Sequence, residues 1–350
     1  MRMNCRYNIA ELPRPTVMKK ILKYLGYVVG IVLLAVGGLV ATCAMKWPPS
    51  FPDTPKPDIQ ASDDPAVIER GKYLVNAVAH CAACHSPAQE FSGSKPGEIV
   101  APKGGHEWHM GPIGVIRAPN ITPHEGTGIG KYTDAELARV IRHGIKKNDE
   151  PALFMMAVGP MSDEDLTAVI SYLRSIEPVD NAVPGHEIGL LGKVLFQGPM
   201  GFFAEPHDYA RFAPAFVKEG SASVERGKYL AEGPGFCIGC HSEYGYEDQL
   251  VFVGQILSGN VEQPTPDETQ EGYELLAPNL TPDPETGVIA TWDLAQFKTR
   301  FRAGRMYAGT PMPWETYANL TDEDVESLWL YLRSLPPTKK EIGPTHRKAQ

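Results

Sequence analysis

The chain has 350 residues, enough for two or three domains, and its 43% hydrophobic and 21% charged residues are those of a globular protein with a buried core. A net charge of −9 speaks against a nucleic-acid partner, which calls for a basic stripe. An acidic surface suits a basic protein partner, or simply solubility.

The N-terminal part reads as a membrane element. Leu25 to Met45 carries no charged residue, and at about 1.5 Å per residue it is long enough to cross a ~30 Å hydrocarbon layer. Lys19, Lys20 and Lys23 precede it, which places the N-terminus in the cytoplasm and the rest outside. An uncleaved anchor is the favoured reading. A cleaved signal with Ala41 and Ala44 near its exit, or lipidation at Cys43, would export the chain equally. Met18, followed by two lysines, is a natural alternative start. Pro48, Pro49, Pro52, Pro55 and Pro57 then form an extended, semi-rigid spacer.

Beyond the spacer the sequence repeats. Arg70-Gly-Lys-Tyr-Leu74 returns as Arg226-Gly-Lys-Tyr-Leu230, and Cys81-x-x-Cys84-His85 as Cys237-x-x-Cys240-His241. Ala118-Pro-Asn-Ile-Thr-Pro123 returns as Ala277-Pro-Asn-Leu-Thr-Pro282, Ser162-Asp-Glu-Asp165 as Thr321-Asp-Glu-Asp324, and Tyr172-Leu-Arg-Ser175 as Tyr331-Leu-Arg-Ser334. A period this long means a whole domain used twice. Each unit reads as short helices and long loops. Asp63 or Asp64 caps the first helix, with Pro65 in its first turn. Thr133 and Glu136 form a capping box before a helix that stops at Gly144. Ser162 and Thr321 cap the terminal helices, where Leu166, Val169, Ile170 and Leu173, and then Val325, Leu328, Trp329 and Leu332, share a face. No strand alternation stands out, so the expected class is all-α.

C-x-x-C-H is the attachment motif of c-type haem. Two cysteines three apart on a helical turn reach the two vinyl groups of a porphyrin edge, and the next histidine lies under the iron. Composition alone predicts on the order of 0.003 such motifs in this chain; two at equivalent places in a repeat are not chance. A zinc site would want its cysteine pairs close together, and a thioredoxin-like pair would want a βαβ setting. Cys81, Cys84, His85, Cys237, Cys240 and His241 are therefore the candidate residues for two covalent haem c groups.

A methionine as sixth ligand raises the haem potential and closes the iron to substrates. Met312, between Pro311 and Pro313, is the candidate in the second unit, core filling being the bland reading. The equivalent place in the first unit holds Leu153. Met155 is the favoured ligand there, with Met156, Met161 and a bis-histidine arrangement through His106 or His109 as alternatives. The Asn120 and Asn279 loops read as tight turns. Tyr73, Tyr229 and Trp292 read equally as haem packing or as core aromatics.

With these motifs the chain resembles the tandem class I cytochrome c family, in particular membrane-anchored dihaem cytochromes and the cytochrome subunits of periplasmic alcohol and aldehyde dehydrogenases. The likeness runs from about Val67 to Pro337. It implies His85 and His241 as proximal ligands and Met312 as a distal one. Those dehydrogenase subunits typically carry three haem motifs, and this chain has two. The expected organisation is a membrane anchor over 1–46, a proline-rich linker over 47–62, cytochrome c domains over 63–180 and 221–337 joined by a linker over 181–220, and a tail over 338–350. The expected function is electron transfer on the periplasmic side of a bacterial inner membrane, between a dehydrogenase or quinol-oxidising complex and a downstream carrier or oxidase. The alternative is a dihaem enzyme such as a cytochrome c peroxidase, which needs one iron with an open or displaceable ligand.

Overall fold

The computed structural model describes residues 15–153, 161–201, 204–206, 220–245, 252–267 and 269–349. The chain divides between Trp47 and Pro48 into two compact units. Among its described residues the first holds a single helix, α1 (Pro15–Met45), in which Met18–Met45 is long and apolar enough to span a membrane. Its Leu22, Leu33 and Leu34 are exposed, a surface suited to lipid rather than water.

The second unit is mostly α-helical and holds both repeats. In chain order it contains α2 (Pro65–Tyr73), a π-helical turn (Leu74–Val78), α3 (Cys81–Cys84), α4 (Ala88–Ser92), β1 (Glu107–His109), β2 (Gly114–Arg117), α5 (Asp134–His143) and α6 (Asp163–Ser175). Then follow β3 (Glu187–Ile188), α7 (Leu190–Leu195), α8 (Val224–Glu232), α9 (Cys237–His241), β4 (Asn260–Pro266), β5 (Tyr273–Ala277), α10 (Leu294–Arg302), α11 (Trp314–Tyr317), α12 (Asp322–Ser334) and β6 (His346–Lys348).

Local chemistry starts these helices. Asp64 accepts from the Ala66 amide, with Pro65 in the first turn, and Ser223 does the same for α8 through Arg226. Thr133 and Glu136 close a capping box, and Gly144 ends α5 in the left-handed region. Asp293 and Gln296 form the matching box on α10. Ser162 and Thr321 cap α6 and α12 through the amides of Asp165 and Asp324. Each cap satisfies amides that a helix end would otherwise leave without a partner.

Two three-stranded antiparallel sheets, β1-β2-β3 and β4-β5-β6, accompany the helices, one in each repeat. Trp108 pairs with Ile116 and Val115 with Glu187; Leu275 pairs with His346. In both repeats the third strand comes from the segment after the terminal helix, so the chain returns to the sheet it has just left. His186 lies at this return and accepts a hydrogen bond from the Arg117 amide at Nδ1 (3.2 Å).

The proline-rich segment is fastened to the first repeat. Phe51 donates from its amide to the Asp149 carbonyl (2.8 Å), and its own carbonyl accepts from the Arg139 guanidinium (2.6 Å). Arg139, almost fully buried, also holds Asp149 (2.7 Å). Further along, the Ala61 amide donates to Asp134 and the Ser62 amide to Ser171, while Ile59 is buried in the core.

In each repeat the first and last helices cross almost backbone to backbone. A Cβ at Gly71 would lie 1.9 Å from the Ala168 carbonyl oxygen, and one at Gly227 1.9 Å from that of Ser327. Only glycine fits at either crossing. The apolar core is continuous through both repeats, running from Leu74, Val78 and Met161 to Phe297, Val325 and Tyr331.

The repeats are tied to each other reciprocally. Within the first, Arg70 Nε donates to Asp165 (2.6 Å). Within the second, Arg226 grips Asp324 through two bonds of 2.8 and 2.7 Å. Tyr73 of the first repeat then donates to Asp324 (2.6 Å) and accepts from the Thr321 amide. Tyr229 of the second donates to Asp165 and accepts from the Ser162 amide. Burial, followed by the nearby carboxylate, pushes both phenols upward, so they remain donors.

Gly227→Ala should destabilise the protein by about 1–3 kcal/mol or more through overpacking; an unchanged urea midpoint would contradict the close crossing. Burial, then Lys146 and Arg117, lower His186 from its ordinary 6.5 to about 4. Between those values the unfolded chain takes up a proton that the folded one refuses. Its contribution is therefore present above about pH 6.5 and lost as the pH falls towards about 4, by ~1–3 kcal/mol. Chemical denaturation of a His186→Gln variant across that window should show a flatter acid limb.

Candidate functional site

The two C-x-x-C-H segments adopt the same local structure. Each is a helical turn, α3 followed by His85, and α9 ending in His241. Each is preceded by a left-handed residue that is not glycine, His80 at φ 43° and Phe236 at φ 45°. Strain of this kind persists where the surroundings impose it. In both repeats it reverses the chain so that the two cysteines and the histidine come from one turn.

The histidines are oriented by a carbonyl. His85 Nδ1 lies 2.8 Å from the Pro119 oxygen, and His241 Nδ1 3.0 Å from that of Pro278. A carbonyl only accepts, so Nδ1 carries the proton and Nε2 keeps its lone pair. This is the tautomer an axial iron ligand requires, held by the kind of outer bond that fixes ring orientation. Burial is the main cause that keeps both imidazoles neutral by lowering their pKa.

The carbonyls are themselves fixed. Asn120 donates from Nδ2 to the Val179 carbonyl (2.7 Å), while its Oδ1 accepts from the amide and hydroxyl of Thr122 (2.9 and 2.8 Å). Asn279 repeats this with Thr338 (2.8 Å) and Thr281 (2.9 and 2.8 Å). Both asparagines are buried. Gly104 and Gly259, at φ 79° and 89°, donate their amides to the His85 and His241 carbonyls. A Cβ on Gly104 would stand 2.5 Å from the Asn120 amide nitrogen. The Ala-Pro-Asn-x-Thr-Pro motif, read from sequence as a turn, is thus the support of the histidine.

The surroundings of the thiols favour the protonated form. Burial, and secondarily the neighbouring Cys84, push Cys81 up to about 12; burial and then Cys240 push Cys84 up to about 11. Cys237 is pushed up to about 12 by burial and then Cys240, and Cys240, the most open of the four, is also raised. Two cysteines on one helical turn beside an Nδ1-protonated histidine fit a covalently attached haem. The two turns are two attachment sites for haem c.

The turns approach each other across the repeat interface. Tyr317 donates to the Gly235 carbonyl (3.0 Å), two residues before Cys237. Its ring and that of His80, the residue before Cys81, meet in a T-shaped contact with centroids 5.8 Å apart.

The sixth-ligand candidates fall in different settings. Met312 is half-buried and packs against the core. Met155 and Met156 lie outside the described residues. Met161 is fully buried in the core, and Leu153 is buried too. His109 is exposed and pairs with Glu107, whereas His106 stacks on Trp108 and lies close enough to His85 for their charges to interact. Trp292 packs on the core. Tyr73 and Tyr229 are the links between repeats, a role that neither sequence reading gave them.

Residues 68–177 match the cytochrome c family. The chain is 30% identical to the alcohol dehydrogenase (quinone) cytochrome c subunit of Komagataeibacter europaeus over 80% of its own length and 58% of that protein. It is also 30% identical to the gluconate 2-dehydrogenase cytochrome c subunit of Pantoea cypripedii, over 79% of this chain and 61% of that one. A dihaem cytochrome c-type protein of Cereibacter sphaeroides is 28% identical over 73% of this chain and 82% of its own. The protein carries a class I cytochrome c domain and is homologous to the cytochrome c subunits of such dehydrogenases. It spans about three-fifths of the length of the two dehydrogenase subunits. Helix α1 matches a single-pass inner-membrane anchor, with the chain that follows it periplasmic.

Asn279→Ala should cost about 1–3 kcal/mol, because the Thr338 carbonyl and the Thr281 hydroxyl lose a buried partner. Thermal unfolding checks this; a melting point equal to that of the parent protein would rule out the clamp.

Proposed function

We propose that the protein is a membrane-anchored dihaem electron carrier that receives electrons from a dehydrogenase or quinol-oxidising complex and delivers them to a downstream carrier or oxidase. The observation that carries this reading is the pair of C-x-x-C-H turns whose histidines are held in the iron-binding tautomer. His85 and His241 would be the proximal ligands, Met312 the distal ligand of the second haem and Met155 that of the first. The domains would run over 63–180 and 221–337, each completed by the strand that follows its terminal helix.

When bound, haem c supplies a one-electron ferric/ferrous couple. The protein's part is placement, insulation and tuning. Cys81 and Cys84, and Cys237 and Cys240, would fix each group by thioethers. The Pro119 and Pro278 carbonyls make the imidazoles electron-rich, which favours the ferric state. The shared apolar core keeps water away, and the Tyr73 and Tyr229 bonds hold the two turns at a constant separation. Similarity to dehydrogenase cytochrome subunits and to a dihaem cytochrome supports a carrier rather than a catalyst. Lys19, Lys20 and Lys23 ahead of the apolar segment support a cytoplasmic N-terminus.

The purified protein should carry two covalent haems by mass and remain low-spin when oxidised. Met312→Ala should lower one midpoint potential by a sizeable fraction of the ~0.8 V that axial ligands span. A high-spin haem that turns over peroxide would overturn the carrier reading.

A further inference from the structure

The segment around Met312 is held by an arginine that neither the motifs nor the repeat brings out. Arg305 donates from Nε and Nη2 to the two carboxylate oxygens of Glu315 at 2.7 and 2.8 Å. From Nη1 it donates to the carbonyls of Ala308 (2.9 Å) and Thr310 (3.0 Å). One guanidinium therefore joins the chain before Pro311-Met312-Pro313 to the chain after it. Glu315 is buried at 2% exposure, so this fork is its partner away from water, and a bidentate pair resists rotation as a single bond does not. Inside the loop, the Met312 amide donates to Thr310 Oγ1 (3.3 Å) and the Met312 carbonyl accepts from the Trp314 amide (2.9 Å).

The far side of the clamp belongs to the other repeat. The Glu315 carbonyl accepts from the Gly97 amide (2.9 Å), and the Asn319 side chain donates to the Asn76 carbonyl (3.0 Å). The loop is thus closed by Arg305 from within and braced by the first repeat from outside.

We infer that Arg305, through Glu315, is a positioning residue that holds the Met312 thioether for the second haem. This rests on the assignment of Met312 as a distal ligand. An axial Met–iron bond is weak compared with that to histidine, and its occupancy depends on a loop that keeps sulfur in place. Lysine at 305 would keep the charge but could not bridge Glu315 and two carbonyls together.

The test compares Arg305→Lys, Arg305→Gln and Met312→Ala in the full-length, haem-loaded protein, with covalent haem content checked by mass. Redox titration and the long-wavelength charge-transfer band from methionine sulfur to ferric iron are then recorded. Expected is loss or weakening of that band at one haem in both Arg305 variants, with a lowered potential for the same haem that Met312→Ala affects. The other haem should be unchanged. If Met312→Ala alters one haem while both Arg305 variants match the parent protein, the inference fails and the ligand assignment stands. If Met312→Ala changes neither band nor potential, the ligand assignment fails and the clamp falls with it. If both haems shift alike in the Arg305 variants, Arg305 serves the fold alone and the positioning role is overturned.

Discussion

Two buried carboxylates, Asp165 and Asp324, organise the haem-bearing part of this protein. Each sits at the start of a terminal helix, where the helix dipole and the capped amides favour negative charge. Each is out of water, so it has to be paired or pay for its desolvation. Its own repeat supplies an arginine, Arg70 or Arg226, and the opposite repeat supplies a tyrosine. The carboxylate is satisfied only when both repeats are folded and correctly apposed. A diffuse apolar contact would tolerate sliding; two reciprocal hydrogen bonds to buried anions do not.

That fixed apposition serves the attachment turns. The helices that carry Tyr73 and Tyr229 lead directly into the segments before Cys81 and Cys237, so the residues that join the repeats also position the thiols. A second set of bonds descends from the Asn120 and Asn279 loops through the Pro119 and Pro278 carbonyls to the histidines. Each attachment turn is therefore held from its leading side by the repeat interface and from its histidine by a loop of its own repeat.

The sequence made visible whatever is encoded locally. Cap residues such as Thr133, Ser162 and Thr321 announce helix starts because their partners lie within three residues. The C-x-x-C-H turns are equally self-contained. The strands were not visible, since the three residues of β1 or β6 leave no alternation to read, the longer β4 carries two prolines, β5 is buried along its middle without alternating, and β3 and β6 pair only through chain return. Nor was the role of the Pro119 and Pro278 carbonyls, because a backbone oxygen has no signature in side-chain identity. Tyr73 finds its partner 251 residues away; the repeated Arg-Gly-Lys-Tyr-Leu marked the residue as shared by both units, but gave no hint that the contact was exchanged. Arg305 has no counterpart in the repeated motifs and so escaped notice.

The exchanged tyrosines have an evolutionary consequence. Each half presents the same donor and the same acceptor to the other, which is the geometry of a two-fold homodimer whose subunits have been fused. Such a junction links the histories of the halves: a substitution at either aspartate is felt by the partner half's tyrosine, so the four positions are constrained as a set. Ligand loops lie outside that set. They were free to diverge after duplication, and the leucine at 153, nine residues before its helix cap where Met312 stands nine before its own, is the trace of that freedom.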